Sequence, residues 1–202
     1  MASILKVDTI QDQSGNNIIN ENADTITIGA SGDTITVPTG ATLTVPNGGL
    51  SGQNYPAFEA YLSAAQTVNH ATITKIQVDT EVFDTNGYYD NSTNYRFTPL
   101  VSGKYLVYST VMVDTGTSNM KQFFNMIYKN GVNHSDGANI NFDNNNGEGG
   151  GVAQTTVVDM NGSTDYIELY TYGVTVDAGS FTASGFGATN KRTLFGAFRL
   201  GA

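Results

Sequence analysis

Apolar and polar positions alternate along most of this chain and nowhere recur at helical spacing, so the pattern predicts short strands throughout. The alternation is most regular over residues 24–48, which read as three related lines. These are Asp24-Thr-Ile-Thr-Ile-Gly-Ala-Ser-Gly32, Asp33-Thr-Ile-Thr-Val-Pro-Thr-Gly40 and Ala41-Thr-Leu-Thr-Val-Pro-Asn-Gly48. Each is a short Thr/aliphatic strand closed by a glycine turn, and a repeat of this kind is sought first because it governs the whole fold. Ile26, Ile28, Ile35, Val37, Leu43 and Val45 then share one apolar face. That face is too thin to be buried by the segment alone, and its simplest cover is another copy of itself. Pro38 and Pro46 stand at strand ends, where a missing N–H costs little and further edge pairing is blocked. An irregular coil or a folded-back hairpin within one chain is the alternative.

Residues 1–23 form a separate piece in which Ile4, Leu5, Val7 and Ile10 precede the turn-rich Gln13-Ser-Gly-Asn-Asn17. This piece suits docking onto a larger assembly, and residues 24–54 suit a repetitive stalk ending in the linker Asn47-Gly-Gly-Leu-Ser-Gly-Gln-Asn54. From residue 55 to 202 the chain reads as one all-β domain, with strands predicted over 72–78, 95–97, 104–113, 122–129, 152–160, 166–172 and 193–200. Turn marks fall at Asn86-Gly87, Ser102-Gly103, Asn130-Gly131 and Asn161-Gly162. A two-sheet sandwich is the natural architecture. Residues 104–113 are largely apolar on both faces, which predicts a strand covered on both sides, either by the second sheet and a loop or by a neighbouring subunit. In Asp165-Tyr-Ile-Glu-Leu-Tyr-Thr-Tyr172, Ile167 and Leu169 take one face. Tyr166, Tyr170 and Tyr172 take the other, a composition suited to an interface.

Composition sharpens this picture. Charged residues are only 13% of 202, against roughly 25% in an ordinary soluble domain. Thr (26), Asn (21) and Gly (23) supply the polarity instead, as strands joined by tight turns require. Lys+Arg 9 against Asp+Glu 18 leaves a net charge of −9, which argues against nucleic acid as a partner. With 0 Cys, disulfides, thiolate catalysis and cysteine metal sites are excluded. No apolar run approaches the roughly 18 residues of a membrane span, and the first residues lack a secretion signal, so synthesis in a cytoplasm without membrane insertion is expected.

Candidate chemistry is sparse. Ser118-Asn-Met-Lys121 matches S-x-x-K, but its companion elements and its helix are absent, so it is weak. His70 and His134 sit in polar, turn-like surroundings and read as surface residues. The stretch from Asp136 to Glu148 is rich in oxygen ligands, yet its spacing departs from an EF-hand loop, and a polar loop is the plainer reading. Three N-x-[ST] sequons, at Asn91, Asn133 and Asn161, are expected by chance in so Asn-rich a chain. No cofactor and no catalytic residue is expected. A glycan-cutting enzyme needs two carboxylates facing across a groove, and no acidic pair is singled out.

Beyond residue 55 the chain resembles the C1q-like domain of the C1q/tumour-necrosis-factor superfamily. The resemblance is carried by Ala57-Phe-Glu-Ala-Tyr-Leu62, Lys75-Ile-Gln-Val-Asp79, Val82-Phe-Asp84 and Tyr88-Tyr-Asp90. It continues through Tyr95-Arg-Phe-Thr-Pro99, Ser102-Gly-Lys-Tyr105, Tyr128-Lys-Asn-Gly131 and Thr193-Leu-Phe-Gly-Ala-Phe-Arg-Leu200. The family's Gly-Asp turn is replaced by Asn161-Gly-Ser-Thr-Asp165, and the segment 133–151 reads as a long polar loop. The resemblance implies a ten-stranded jelly roll that associates as a homotrimer, with Tyr166, Tyr170 and Tyr172 as candidates for the trimer axis. The N-terminal part, Ala2-Ser-Ile-Leu-Lys-Val-Asp-Thr-Ile10 followed by Thr-rich lines, is similar to the start of fibre and appendage proteins of tailed bacteriophages, marine cyanophages especially. Together these imply a virion protein that is anchored through residues 1–23 to other virion proteins. Residues 24–54 would form its stalk, and 55–202 a knob contacting a host-surface glycan or receptor with the avidity of three copies. His134, Asp136, Asn139, Asn141, Asp143 and Asn145 are the candidate contact residues. A decoration or adaptor protein without receptor binding is the first alternative, and a glycan-degrading tail enzyme the second.

Overall fold

In a computed structural model the chain divides into two units, Met1–Ser51 and Gly52–Ala202. The residues described are 9–11, 13–15, 17–22, 25–29, 31–43, 56–116, 119–142, 147–185 and 189–201. Among them there is no helix.

The first unit is an antiparallel meander of β1 (Thr9–Gln11), β2 (Asn17–Asn22) and β3 (Thr25–Ile28). The sheet crosses the compositional boundary at residue 23, because β2 and β3 pair directly, Asn22 opposite Thr25. Among the described residues of the three Thr-rich lines, only those of the first form a paired strand. Residues 33–38 and 41–43 form no ladder in the single chain, since an eight-residue line with no strand beside it has no partner for its backbone groups. The turn between the second and third lines has its expected chemistry. Gly40 sits at φ +89° and the Ala41 N–H donates to Pro38 O at 3.0 Å, a type II arrangement that requires glycine at its third position.

The second unit is a two-sheet sandwich. Its first sheet contains β4 (Ala57–Tyr61), β5 (Gln66–Val68), β7 (Thr80–Asp84), β10 (Ser102–Asp114), β14 (Gly149–Asn161), β16 (Phe181–Ala183) and β17 (Leu194–Gly201). They run in the order β5-β16-β10-β17-β4-β7, with β14 along the other side of β10. The second sheet contains β6 (Thr74–Lys75), β8 (Tyr89–Asp90), β9 (Arg96–Phe97), β11 (Met120–Lys129), β12 (Val132–Asp136), β13 (Ile140–Asn141) and β15 (Ile167–Thr175). Here the order is β12-β11-β15-β9-β8, with β13 also on β11 and β6 also on β15. All pairings are antiparallel and the long strands are neighbours across large sequence separations, as in a jelly roll.

The segment 133–151 is not one loop. Asn130 (φ +53°) and Gly131 (φ +76°) make a two-residue turn with both residues left-handed, the type I′ geometry whose twist matches a hairpin. The chain therefore folds back as β12 on β11, with Val132 opposite Lys129. β13 continues along the same edge, and β14 begins at Gly149. The unpaired edge of β11 is what draws these polar residues into strand. Ser102-Gly103 likewise opens β10 rather than turning, at a register shift opposite β17.

The core joins the sheets through aromatic rings. Phe58 from the first sheet stacks on Tyr89 and on Phe97 from the second, centroids 4.5 Å apart in both cases, and meets Phe195 edge-on at 5.1 Å. Offset-stacked and edge-on pairs of this kind add about 0.5–1.5 kcal/mol each beyond their area. The buried Tyr89 hydroxyl donates to Val78 O at 2.8 Å, so the only polar atom in that stack is satisfied.

Candidate interaction faces

The tyrosine strand alternates as its sequence predicts: Ile167 and Leu169 are buried in the core, while Tyr170 and Tyr172 lie on the outer face of the second sheet. Tyr166 stands one residue before β15. These rings spend their faces on their own chain. Tyr170 stacks on Tyr128 at 4.1 Å, Tyr172 tilts against Phe124 at 5.4 Å, and Tyr166 lies against the Arg96 guanidinium at 4.4 Å. Between them Glu168 is buried and paired with Lys75 Nζ at 2.5 Å, and Lys75 also donates to Asn94 O at 3.1 Å. Burial, then the Glu168 charge, pushes the Tyr170 phenol up to about 12. All three tyrosines are half-buried, and the strip is closed by cross-strand pairs.

The apolar surface left over lies on the first sheet. Tyr105, Val107, Val111 and Val113 of β10 face the core, so Leu106, Tyr108, Thr110 and Met112 face outward. Register builds rows across four strands: Val157, Leu106, Phe198 and Ala57 are successive neighbours, and so are Thr155, Tyr108, Gly196 and Glu59. Val157 is 46%, Phe198 41% and Leu200 52% exposed, large apolar side chains gathered on one face rather than scattered. At the centre Gly196 makes room for the Tyr108 ring, because a Cβ there would stand 2.3 Å from Tyr108 Cζ. The Tyr108 ring thus crosses β17 and donates its hydroxyl to Glu59 Oε2 at 3.0 Å. Lys191 Nζ holds the other Glu59 oxygen at 2.9 Å. Burial, then the Glu59 charge, holds the Tyr108 phenol well above its ordinary range.

The other expected residues are placed as follows. Ile26 (67%), Ile28, Ile35, Val37 and Leu43 (68%) are all exposed in the single chain; Val45 lies outside the described residues. His134 and Asp136 are on β12, Asn141 on β13 and Asn139 between them, all exposed; Asp143 and Asn145 lie outside the described residues. The contact candidates therefore line a sheet edge, where His134 Nε2 approaches Val157 O at 3.4 Å. His70 is not a surface residue: it is half-buried and its Nδ1 accepts the Thr175 N–H at 3.1 Å. In the S-x-x-K motif, Lys121 lies on a strand and Ser118 lies outside the described residues. Among the described residues no three His, Asp or Glu side chains gather as a metal site. Phe198, Val157 and Glu59 were not legible as a site. Their one trace in the sequence is the two-faced apolar pattern of 104–113, which marks Leu106 but not its neighbours.

No family model matches the sequence, and no curated protein does. Solved structures do. Murine APRIL at pH 5.0 superposes with a TM-score of 0.52 at 10% identity, covering 73% of this chain and 100% of that one. Murine APRIL at pH 8.0 gives 0.51 at 12% identity, with the same coverage. The globular domain of zebrafish complement C1qA, at 14% identity over 71% of this chain and 93% of that one, has a TM-score of 0.42, too low to add to the argument. At such identities the likeness concerns fold alone. The chain carries an all-β, jelly-roll-like sandwich whose fold is similar to that of murine APRIL.

Proposed function

We propose that this chain is a structural protein that works as a homotrimer, a fibre or appendage of a tailed-phage particle whose C-terminal sandwich meets the host surface. The observation that carries the self-association is the outward face of the first sheet, where Val157, Leu106, Phe198 and Leu200 stand together with two of the four more than 45% exposed. A monomer gains nothing from such a face, whereas two further copies remove it from water at about 25 cal/mol per Å². The exposed Ile26–Leu43 stripe asks for the same solution in the first unit. We assign the knob interface to this face in preference to the Tyr166/Tyr170/Tyr172 strip, whose rings are already paired within their own sheet. The phage context rests on the resemblance of residues 2–10 and the Thr-rich lines to phage appendage proteins, with residues 1–23 as the anchor.

Three linked copies multiply a weak contact into useful avidity. An adaptor without receptor binding shares the trimer and differs only in whether the sandwich binds host cells. The test is the solution mass of the full-length protein by size exclusion with light scattering. A species near 64 kDa, about three times 21.4 kDa, supports the reading; a 21.4 kDa monomer removes it and leaves a lone jelly-roll binding module.

A further inference from the structure

Arg96 occupies an unusual position. Its guanidinium lies 4.4 Å from the centre of the Tyr166 ring, it is half-buried, and it makes no hydrogen bond or ion pair with any described residue. Most of the other described cations are spent: Lys75, Lys104, Lys129 and Lys191 on carboxylates, and Arg199 on Ser102 O. Lys121 shares the unpaired state, but as an exposed strand residue facing solvent. A chain with 18 acidic residues has ample partners to offer Arg96, and the two beside it in register, Glu168 and Asp90, are both committed elsewhere. Glu168 belongs to Lys75. Asp90 accepts the N–H groups of Ser92, Thr93 and Asn94 and the Asn94 amide, which hold its carboxyl far below the ordinary range. Five guanidinium donors are thus kept free beside a ring face, a placement that suits arginine to binding planar anions.

The surroundings form a receptacle. Arg96 lines a hollow of about 350 Å³ together with Tyr88, Asp90, Asn94, Thr98 and Leu100, at the small end of ligand-binding cavities. The preceding Tyr95 is held at φ +50°, a conformation that a bulky side chain adopts only where the surroundings enforce it. It turns the chain so that Tyr95 lines a second hollow with Asp79 and Gln77 while Asn94 and Arg96 line the first. The charge of the hollow selects among anions. One free cation beside Asp90, in a chain of net −9, suits a single planar carboxylate and repels a dense polyanion. The remaining lining, a phenol ring, an amide and a hydroxyl, suits a ring bearing hydroxyl groups.

We propose that Arg96 and its hollow bind the carboxylate of an acidic sugar residue in a surface polysaccharide. This deepens the host-contact part of the proposed function and rests on it. The experiment titrates full-length protein, by calorimetry and by saturation-transfer NMR, with galacturonate, glucuronate and N-acetylneuraminate, each carrying one carboxylate. The carboxyl-reduced forms of these sugars and a tetraglutamate peptide serve as comparisons. We expect at least one acidic sugar to bind about tenfold or more tighter than the reduced form, as a bidentate charged hydrogen bond requires. Arg96→Gln then erases that difference while the melting temperature and solution mass stay as in the parent, and Arg96→Lys restores part of it. The comparison with the reduced sugar uses the parent protein, so it decides the matter even where Arg96→Gln fails to fold. Three results overturn the site: none of the acids binding at about 10 mM; equal binding of acidic and reduced forms; or tetraglutamate outcompeting the sugars. A 64 kDa species that ignores all three acids sinks this site and leaves the trimer standing, whereas a monomer sinks the appendage reading itself.

Discussion

Phe198→Asp is the substitution that most directly tests how the sandwich associates. Phe198 neighbours Leu106 across β10 and Ala57 across β4 on the outward face of the first sheet. It keeps 41% of its surface exposed in the single chain, so about 80 Å² of a side chain that buries on the order of 200 Å² when covered remains for a partner. At about 25 cal/mol per Å² this amounts to ~2 kcal/mol per copy and ~6 kcal/mol for three. A trimer's midpoint concentration varies with the square root of its dissociation constant, so ~6 kcal/mol raises that midpoint about a hundredfold at 1.4 kcal/mol per decade. An aspartate also brings three like charges near one axis, which adds to the effect. The assay is light scattering over a dilution series of parent and variant, with circular dichroism to verify that both are folded. The parent is expected to hold a mass near 64 kDa (three times 21.4 kDa) at dilutions where Phe198→Asp has fallen to the monomer. Tyr172→Asp, on the second sheet, is the counterpart. If it dissociates the trimer while Phe198→Asp does not, the assignment of the interface to the first sheet is wrong.

Three further outcomes follow from the same geometry. Gly196→Ala places a Cβ where Tyr108 Cζ lies 2.3 Å away, so the ring must leave and its bond to Glu59 must break; a loss of about 1–3 kcal/mol is expected, read as a lower midpoint in urea. Tyr89→Phe strips from Val78 O its one donor among the described residues and is expected to cost about 1–3 kcal/mol in chemical denaturation; a change within error would mean that Val78 O finds another donor. Asp90 is held below its ordinary value, chiefly by the Thr93 N–H, with Ser92 and Asn94 adding. Its stabilising contribution is therefore complete above the unfolded carboxylate value near 4 and is lost as the pH falls below it. Melting curves from pH 6 to pH 2 should fall less steeply for Asp90→Ala than for the parent, and parallel curves would show that the loop draws no stability from this charge.

Much of the architecture can be read from local pattern, for a definite reason. Strand alternation and the Asn-Gly pairs act over a few residues, so Ile167 and Leu169 inward with Tyr170 and Tyr172 outward, and the turn at Asn130-Gly131, follow from period and φ alone. The alternation of residues 104–113 likewise puts Tyr105, Val107, Val111 and Val113 in the core and leaves Leu106 on the outward face. The resemblance to C1q-like domains, carried by a few short blocks, adds the jelly roll. What tertiary structure decided is which residues meet. Val157, Leu106 and Phe198 form one row because β14, β10 and β17 are hydrogen-bonded neighbours, a pairing that no window of a few residues contains. The same pairing rule turned the mostly polar residues 132–136 and 140–141 from loop into edge strand, because the backbone of β11 requires partners whatever the side chains are. The Tyr166 face looked free in sequence and is occupied in space by Arg96, Tyr128 and Phe124, since stacking partners are chosen across strands rather than along them. Arg96 itself carried no signal at all: a lone arginine acquires meaning only when its neighbours in register, Glu168 and Asp90, are seen to be committed to other partners.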